Sequence, residues 1–220
     1  MIDNRNCTRP SKHVNVTKPI FDPTKVQTVS TKPRIYVYEN FLSIAECAHI
    51  IELGGAGLQR SQVAGAKSNV QSNVRTSYGT FLNSTDDPIL LGIEERISVW
   101  TQLPVNNGEP FYLLRYSQGQ EYKPHYDYFD PKLPGMERFL IPGQRTATVL
   151  LYLHTPRFGG ETTFPKANIL VPTVRGTAVL FWSHTNDHQL DTNSLHGSLP
   201  VKEGVKYCCT KWLRENEWVV

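Results

Sequence analysis

Residues 111–127 read Phe111-Tyr-Leu-Leu-Arg-Tyr-Ser-Gln-Gly-Gln-Glu-Tyr-Lys-Pro-His-Tyr-Asp127. An apolar and aromatic run, a Ser-Gln-Gly-Gln turn and a second aromatic run predict two short strands, Phe111–Tyr116 and Glu121–Tyr126. Strand side chains alternate between faces, so His125 and Asp127 point the same way and offer an imidazole and a carboxylate to one place. The same texture continues downstream. Arg145–His154, Glu161–Phe164, Asn168–Val171, Thr177–Trp182, Ser194–Leu199 and Val205–Leu213 are further strand candidates, divided by Gly, Pro and Asn turns. That makes eight short strands, the pattern of a jelly-roll or barrel sandwich. Pro131–Pro142 lies between two of them as a long loop.

Upstream the pattern differs. Residues 1–33 are polar and proline-punctuated, and are expected to form a flexible N-terminal arm. Arg34–Tyr38 reads as a first strand. Ser43-Ile-Ala-Glu46 is a capping box opening a helix with Ile44, Cys47, Ala48, Ile50 and Ile51 on one side, and Gly54-Gly55 ends it. A short strand near Leu58–Val63 precedes residues 64–75, small and polar, which suggest a mobile functional loop. Thr76–Leu82 resumes as a strand. Ser84 or Thr85 is expected to cap a second helix, with Ile89, Leu90, Ile93, Ile97 and Trp100 at helical spacing. The fold expected is mainly β with flanking helices, and one catalytic domain over residues 34–220.

The chain has 220 residues and a net charge of +3, too small to argue for nucleic acid or an anionic membrane surface as partner. No apolar run approaches the roughly 18 residues of a membrane span. Met1 to Pro19 lacks the apolar core of a signal peptide, so a cytoplasmic location is expected unless a signal has been removed. Cys7, Cys47, Cys208 and Cys209 have no zinc-site spacing and read as small thiols, mostly buried.

His-x-Asp needs a third ligand to hold a metal. His154, His184, His188 and His196 are the downstream candidates. His196 is favoured because Gly197 beside it permits close approach, whereas His184 and His188 lie in a polar loop and His154 ends a strand. Two histidines and one carboxylate form the facial set of non-haem ferrous oxygenases. The spacing also fits a catalytic zinc. Lys206, ten residues past His196, argues for iron. A metal-chelated oxoacid carries a second carboxylate that needs a cation, and a zinc hydrolase has no such need. Lys206 is expected on the strand next to that of His196.

Several segments in order resemble the prolyl 4-hydroxylases, a family of iron- and 2-oxoglutarate-dependent dioxygenases. They are residues 74–82, 115–129, 145–153, 159–165, 194–197 and 211–213, and the likeness runs from about 34 to 214. The resemblance implies a double-stranded β-helix core with N-terminal supporting helices. It implies His125, Asp127 and His196 as Fe(II) ligands, and Lys206, Tyr116 and Thr162 as the pocket for 2-oxoglutarate. Tyr122, Arg145 and Trp212 match the peptide groove. The implied activity is hydroxylation of peptidyl proline at C4 with O2, L-ascorbate restoring ferrous iron. A proline-rich or collagen-like peptide in polyproline II form is the implied substrate, with residues 64–75 and 130–143 as lids. Rival readings are the same oxygenase acting on another residue or a nucleobase, a non-enzymatic β-sandwich module, and a zinc hydrolase. The chain departs from the family pattern at Arg214, where many members carry His, and around Cys208, which shares the inward parity of Lys206. A thiol near the iron suggests oxidative inactivation during uncoupled turnover.

Overall fold

A capping box starts the first helix as the sequence predicts. Glu46 N–H donates to Ser43 Oγ at 3.2 Å, and Ser43 N–H donates to the Glu46 carboxylate at 2.8 Å. In the computed structural model, which describes residues 20–63 and 69–218, strands β1 (Val26–Thr31) and β2 (Arg34–Tyr38) precede this helix, α1 (Ile44–Gly55). Then come β3 (Gln59–Arg60), β4 (Gln62–Val63), β5 (Val70–Gln71), β6 (Tyr78–Leu82) and α2 (Pro88–Thr101). The β-rich half contains β7 (Phe111–Tyr116), β8 (Tyr122–His125), β9 (Arg145–His154), β10 (Phe158–Gly159), β11 (Thr162–Phe164) and β12 (Ile169–Val171). It ends with β13 (Ala178–Trp182), β14 (His196–Ser198), β15 (Val201–Glu203) and β16 (Lys206–Arg214).

An eight-stranded antiparallel sheet, ordered β1-β2-β13-β9-β16-β7-β6-β3, faces a four-stranded sheet ordered β12-β11-β14-β8. This is the expected jelly-roll. Alternation divides its core. Inward residues such as Leu114, Tyr116, Tyr152, Phe164, Phe181 and Cys208 fill the space between the sheets. Leu113, Val149, Leu151, Cys209 and Leu213 point the other way and meet Cys47 and Ile50 of α1 and Leu90, Ile93 and Ile97 of α2. No helix is long and apolar enough to cross a membrane among the described residues.

Four local expectations change. Residues 26–31, read as part of a flexible arm, form β1 and pair with β2, while residues 1–19 lie outside the described residues. Of the supposed mobile loop, residues 64–68 lie outside the described residues, and Val70–Gln71 pairs with Gln62–Val63 as a hairpin. The cap of α2 is Asp87, whose carboxylate accepts from the N–H groups of Ile89 and Leu90, rather than Ser84 or Thr85. Pro88 supplies the first helical residue, where its missing N–H costs nothing. On α1, Ile44 is exposed, and Glu46 is buried because its second oxygen takes Arg96 Nη2 at 2.6 Å. Replacing Ser43 with alanine removes one half of the capping box and leaves Glu46 paired. A loss of about 1 kcal/mol is expected in urea unfolding.

Candidate active site

The two sheets converge on a cleft of about 1190 Å³. His125 closes β8 and His196 opens β14, and the two are direct antiparallel partners. Gly197 lets β14 approach, since a Cβ there would lie 2.7 Å from the carbonyl oxygen of Tyr122. β8 ends at His125, one residue short of the expected strand, and Asp127 sits in the bend beyond it. It still returns to the same side. His125 Nε2 lies 3.6 Å from Asp127 Oδ1, and His196 Nε2 lies 3.6 Å from Oδ2. The three donor atoms fall within 4.8 Å of one another, and these residues form the one His/Cys/Asp/Glu cluster of this kind among the described residues.

Backbone contacts orient both rings. His125 Nδ1 bonds the carbonyl of Lys123 at 2.9 Å, and His196 Nδ1 bonds that of Ser194 at 3.0 Å. Nδ1 therefore carries the proton, and the Nε2 lone pair faces the centre. Thr148 Oγ1 donates to Asp127 Oδ2 at 2.7 Å. Burial pushes the Asp127 carboxyl up, but the neighbouring imidazoles outweigh it and hold it well below the usual carboxylate range. Burial pulls His196 down to about 4. Two imidazoles and a carboxylate are the donor set of a divalent cation.

Lys206 stands on the other sheet. β15 intervenes after β14 and pairs with β10, so β16 is not the neighbour of the His196 strand, contrary to expectation. Lys206 instead reaches across the interior, its Nζ donating to Ser198 Oγ at 2.9 Å and to the Gly160 carbonyl at 2.7 Å. It is 1% exposed, and no carboxylate among the described residues lies within ion-pair distance. Burial lowers its affinity for a proton. A buried ammonium with two neutral acceptors and no carboxylate within ion-pair distance fits a carboxylate ligand. Tyr116 is its direct partner across β7 and β16. Thr162 Oγ1 bonds the Tyr152 hydroxyl at 2.6 Å. Cys208, two residues along β16, is buried and lines the same cleft.

The remaining predicted residues line the outer cleft. Tyr122 stacks on His125, with ring centroids 3.5 Å apart. Arg145 grips Glu109 through Nε at 2.6 Å and Nη2 at 2.8 Å, its guanidinium 3.8 Å over the Trp212 ring. The indole N–H of Trp212 is buried with no hydrogen-bond partner among the described residues. All nine predicted site residues line this one cleft. His154, His184 and His188 do not join the cluster. His154 bonds the Val205 carbonyl, and His184 lies 3.8 Å from Glu215.

Sequence reasoning missed Ser198, Tyr152, Thr148, Arg75 and Glu109. Ser198 has the parity of His196 and was within reach of the period-two argument. Arg75 lies between the rings of Tyr112 and Tyr122, at 5.0 and 4.6 Å. That contact joins residues far apart in sequence and leaves no local signal.

A model of the 2OG-Fe(II) oxygenase superfamily matches residues 111–214. Prolyl 4-hydroxylase 2 of Arabidopsis thaliana is 44% identical, the match covering 88% of this chain and 71% of that protein. A crystal structure of the viral collagen prolyl hydroxylase of Paramecium Bursaria Chlorella virus-1 with 2OG superposes with a TM-score of 0.65 at 27% identity, covering 81% of this chain and 94% of that one. A prolyl hydroxylase of Trichoplax adhaerens, in complex with a hypoxia inducible factor peptide fragment, shares the fold, with a TM-score of 0.62 at 19% identity and 84% of each chain covered.

Proposed function

The chain belongs to the prolyl 4-hydroxylases of the 2OG-Fe(II) oxygenases, and from that membership we propose what its individual residues do. It hydroxylates peptidyl proline at C4 with O2 and 2-oxoglutarate, releasing succinate and CO2, and L-ascorbate is the customary reductant of such enzymes. Fe(II) with 2-oxoglutarate, when bound, supplies the oxidising chemistry. His125, Asp127 and His196 hold the metal. The Lys123 and Ser194 carbonyls fix both rings with Nε2 inward, and the Thr148 hydroxyl fixes the carboxylate.

Lys206 receives the far carboxylate of 2-oxoglutarate, with the Tyr116 and Thr162 hydroxyls as further donors. Burial pushes the Tyr116 phenol up, so it stays protonated and able to donate. The apolar faces of both sheets exclude water, which strengthens this ion pair and shields the reaction. The observation that carries the reading is Lys206, a buried cation without a counter-anion in the cleft that holds the His125, Asp127 and His196 cluster.

Tyr122, Arg145 and Trp212 take the peptide. The free indole N–H of Trp212 suits a peptide carbonyl, and aromatic walls suit the rings of a proline-rich or collagen-like segment in the polyproline II form. The substrate is tested with a panel of proline-rich, collagen-like and proline-free peptides plus a single-stranded oligonucleotide, a 16 Da gain being located by mass spectrometry. Modification at proline C4 alone is expected, and modification of lysine or of a base would sink the reading. Arg145→Ala is expected to raise the peptide KM about tenfold or more, the size of one lost charged contact, with little change in the KM for 2-oxoglutarate.

A further inference from the structure

Arg214 is among the largest buried side chains of the described residues and is 2% exposed. Its Nε donates to Glu109 Oε1 at 2.6 Å, and Nη1 donates to the carbonyls of Phe139 and Gly143 at 2.6 and 2.9 Å. Both carbonyls belong to the loop over residues 130–143. That loop begins three residues after Asp127 of the metal cluster. Its neck is closed by Gln144, whose side chain bonds both the N–H and the carbonyl of Phe129 at 2.8 and 2.7 Å. Phe129 and Phe139 stack at 4.7 Å, and the Arg214 guanidinium lies 5.1 Å from the Phe129 ring. Asp130, Leu133, Met136 and Phe139 form one wall of the cleft.

Within the loop, backbone bonds among residues 130–143 are turns such as Phe139 N–H to Met136 and Gly143 N–H to Leu140, which do not tie it to the sheets. The β16 side attaches the loop to the rest of the fold by hydrogen bonds. Asn216 N–H reaches the Pro142 carbonyl, and Arg214 holds the carbonyls of Phe139 and Gly143 on either side of it. Glu109 is shared. Arg145 and Arg214 both donate to its Oε1, and the pairing with Arg145 lays that guanidinium on Trp212.

We propose that Arg214 is a positioning residue for peptide recognition, fastening loop 130–143 as a wall of the groove and, through Glu109, holding Arg145 against Trp212. This rests on reading the cleft as a peptide groove. A planar guanidinium with five donors can bond a carboxylate and two carbonyls at once, whereas an ammonium cannot span that arrangement and a neutral histidine has one donor. Arg214→Lys therefore separates the two roles. It keeps a cation on Glu109 and loses the grip on the loop.

The experiment compares wild type, Arg214→Lys, Arg214→Gln and Glu109→Gln by backbone hydrogen exchange of the peptide-free protein and by steady-state kinetics with a proline-rich peptide. In Arg214→Gln, exchange over residues 137–143 should rise about tenfold while strands β9 and β16 stay protected, and the peptide KM should rise about tenfold, as for one lost charge-assisted bond. The KM for 2-oxoglutarate should hold within about twofold, since Lys206 is untouched. Arg214→Lys should show the same rise in loop exchange with a smaller rise in KM, and it decides the matter should the Gln variant fail to fold. Glu109→Gln should raise the peptide KM with less effect on loop exchange. Unchanged loop exchange in both Arg214 variants would overturn the proposal, as would an unchanged peptide KM in an active enzyme. Equal shifts in both KM values with lost protection throughout would mean a general core role and also overturn it. A wild type inactive on every proline peptide would refute the groove reading, while loop exchange would still judge the fastening by Arg214.

Discussion

His196→Ala removes succinate formation by at least about a thousandfold and strips Fe(II) from the protein, because one of three protein donors is lost. The position cannot recruit a substitute. His154 bonds the Val205 carbonyl and His184 sits beside Glu215, so neither imidazole stands ready in the cleft. Metal content by equilibrium dialysis and succinate release are measured together. His154→Ala serves as the comparison and is expected to keep full metal content and turnover. Retention of coupled turnover by the His196 variant would remove His196 from the metal site. The variant should still fold, since His196 makes one hydrogen bond of its own, to the Ser194 carbonyl, and its neighbours Phe164 and Phe181 remain packed.

Lys206→Met acts in two opposite directions. The ammonium is buried with two neutral acceptors and no carboxylate within ion-pair distance, a costly arrangement in the protein without cosubstrate. Methionine fills much the same length without that cost, so the cosubstrate-free variant is expected to melt at a higher temperature than wild type. With 2-oxoglutarate the order reverses. The far carboxylate loses its charged partner, worth about 2–4 kcal/mol, so the KM for 2-oxoglutarate should rise roughly 30- to 1000-fold and the thermal shift on adding it should vanish. The peptide KM should move little. A variant that melts lower than wild type without cosubstrate and keeps its affinity for 2-oxoglutarate would show that Lys206 is a structural strut.

Much of this was legible where the signal is local. Period two put His125 and Asp127 on one face, and Gly197 marked the close approach beside His196. The stripe of α2 and the capping box of α1 needed only helical spacing. What failed depended on partners remote in sequence. β1 is mostly polar and exposed, an edge strand paired only with β2, so Val26–Thr31 resembled an arm. Lys206 was expected on the strand next to that of His196 and stands elsewhere. It lies on the facing sheet, because the short strand β15 diverts the chain between His196 and Lys206. Arg214 stood out as a departure from the family, but its burial and its grip on residues 139 and 143 depend on a loop about 70 residues earlier, so no window of sequence contains them. Family membership removes the binding-module and zinc-hydrolase alternatives, which residue spacing alone left standing.

Strand β16 carries Lys206, Cys208 and Trp212 on its inner face and ends at Arg214. One covalent segment thus spans from the cation of the proposed cosubstrate pocket to the indole of the outer cleft, and six residues at about 3.3 Å each set that interval near 20 Å. It works as a gauge block: the separation is fixed by bond lengths, and breathing of helices or loops shifts both ends together. The gauge is also digital. Lengthening it by one residue would not stretch it but would turn one end over, sending either the ammonium or the indole into the helix-facing core. Divergence in substrate size therefore has to be absorbed by the loops at the rim, while this strand can change its letters and not its count.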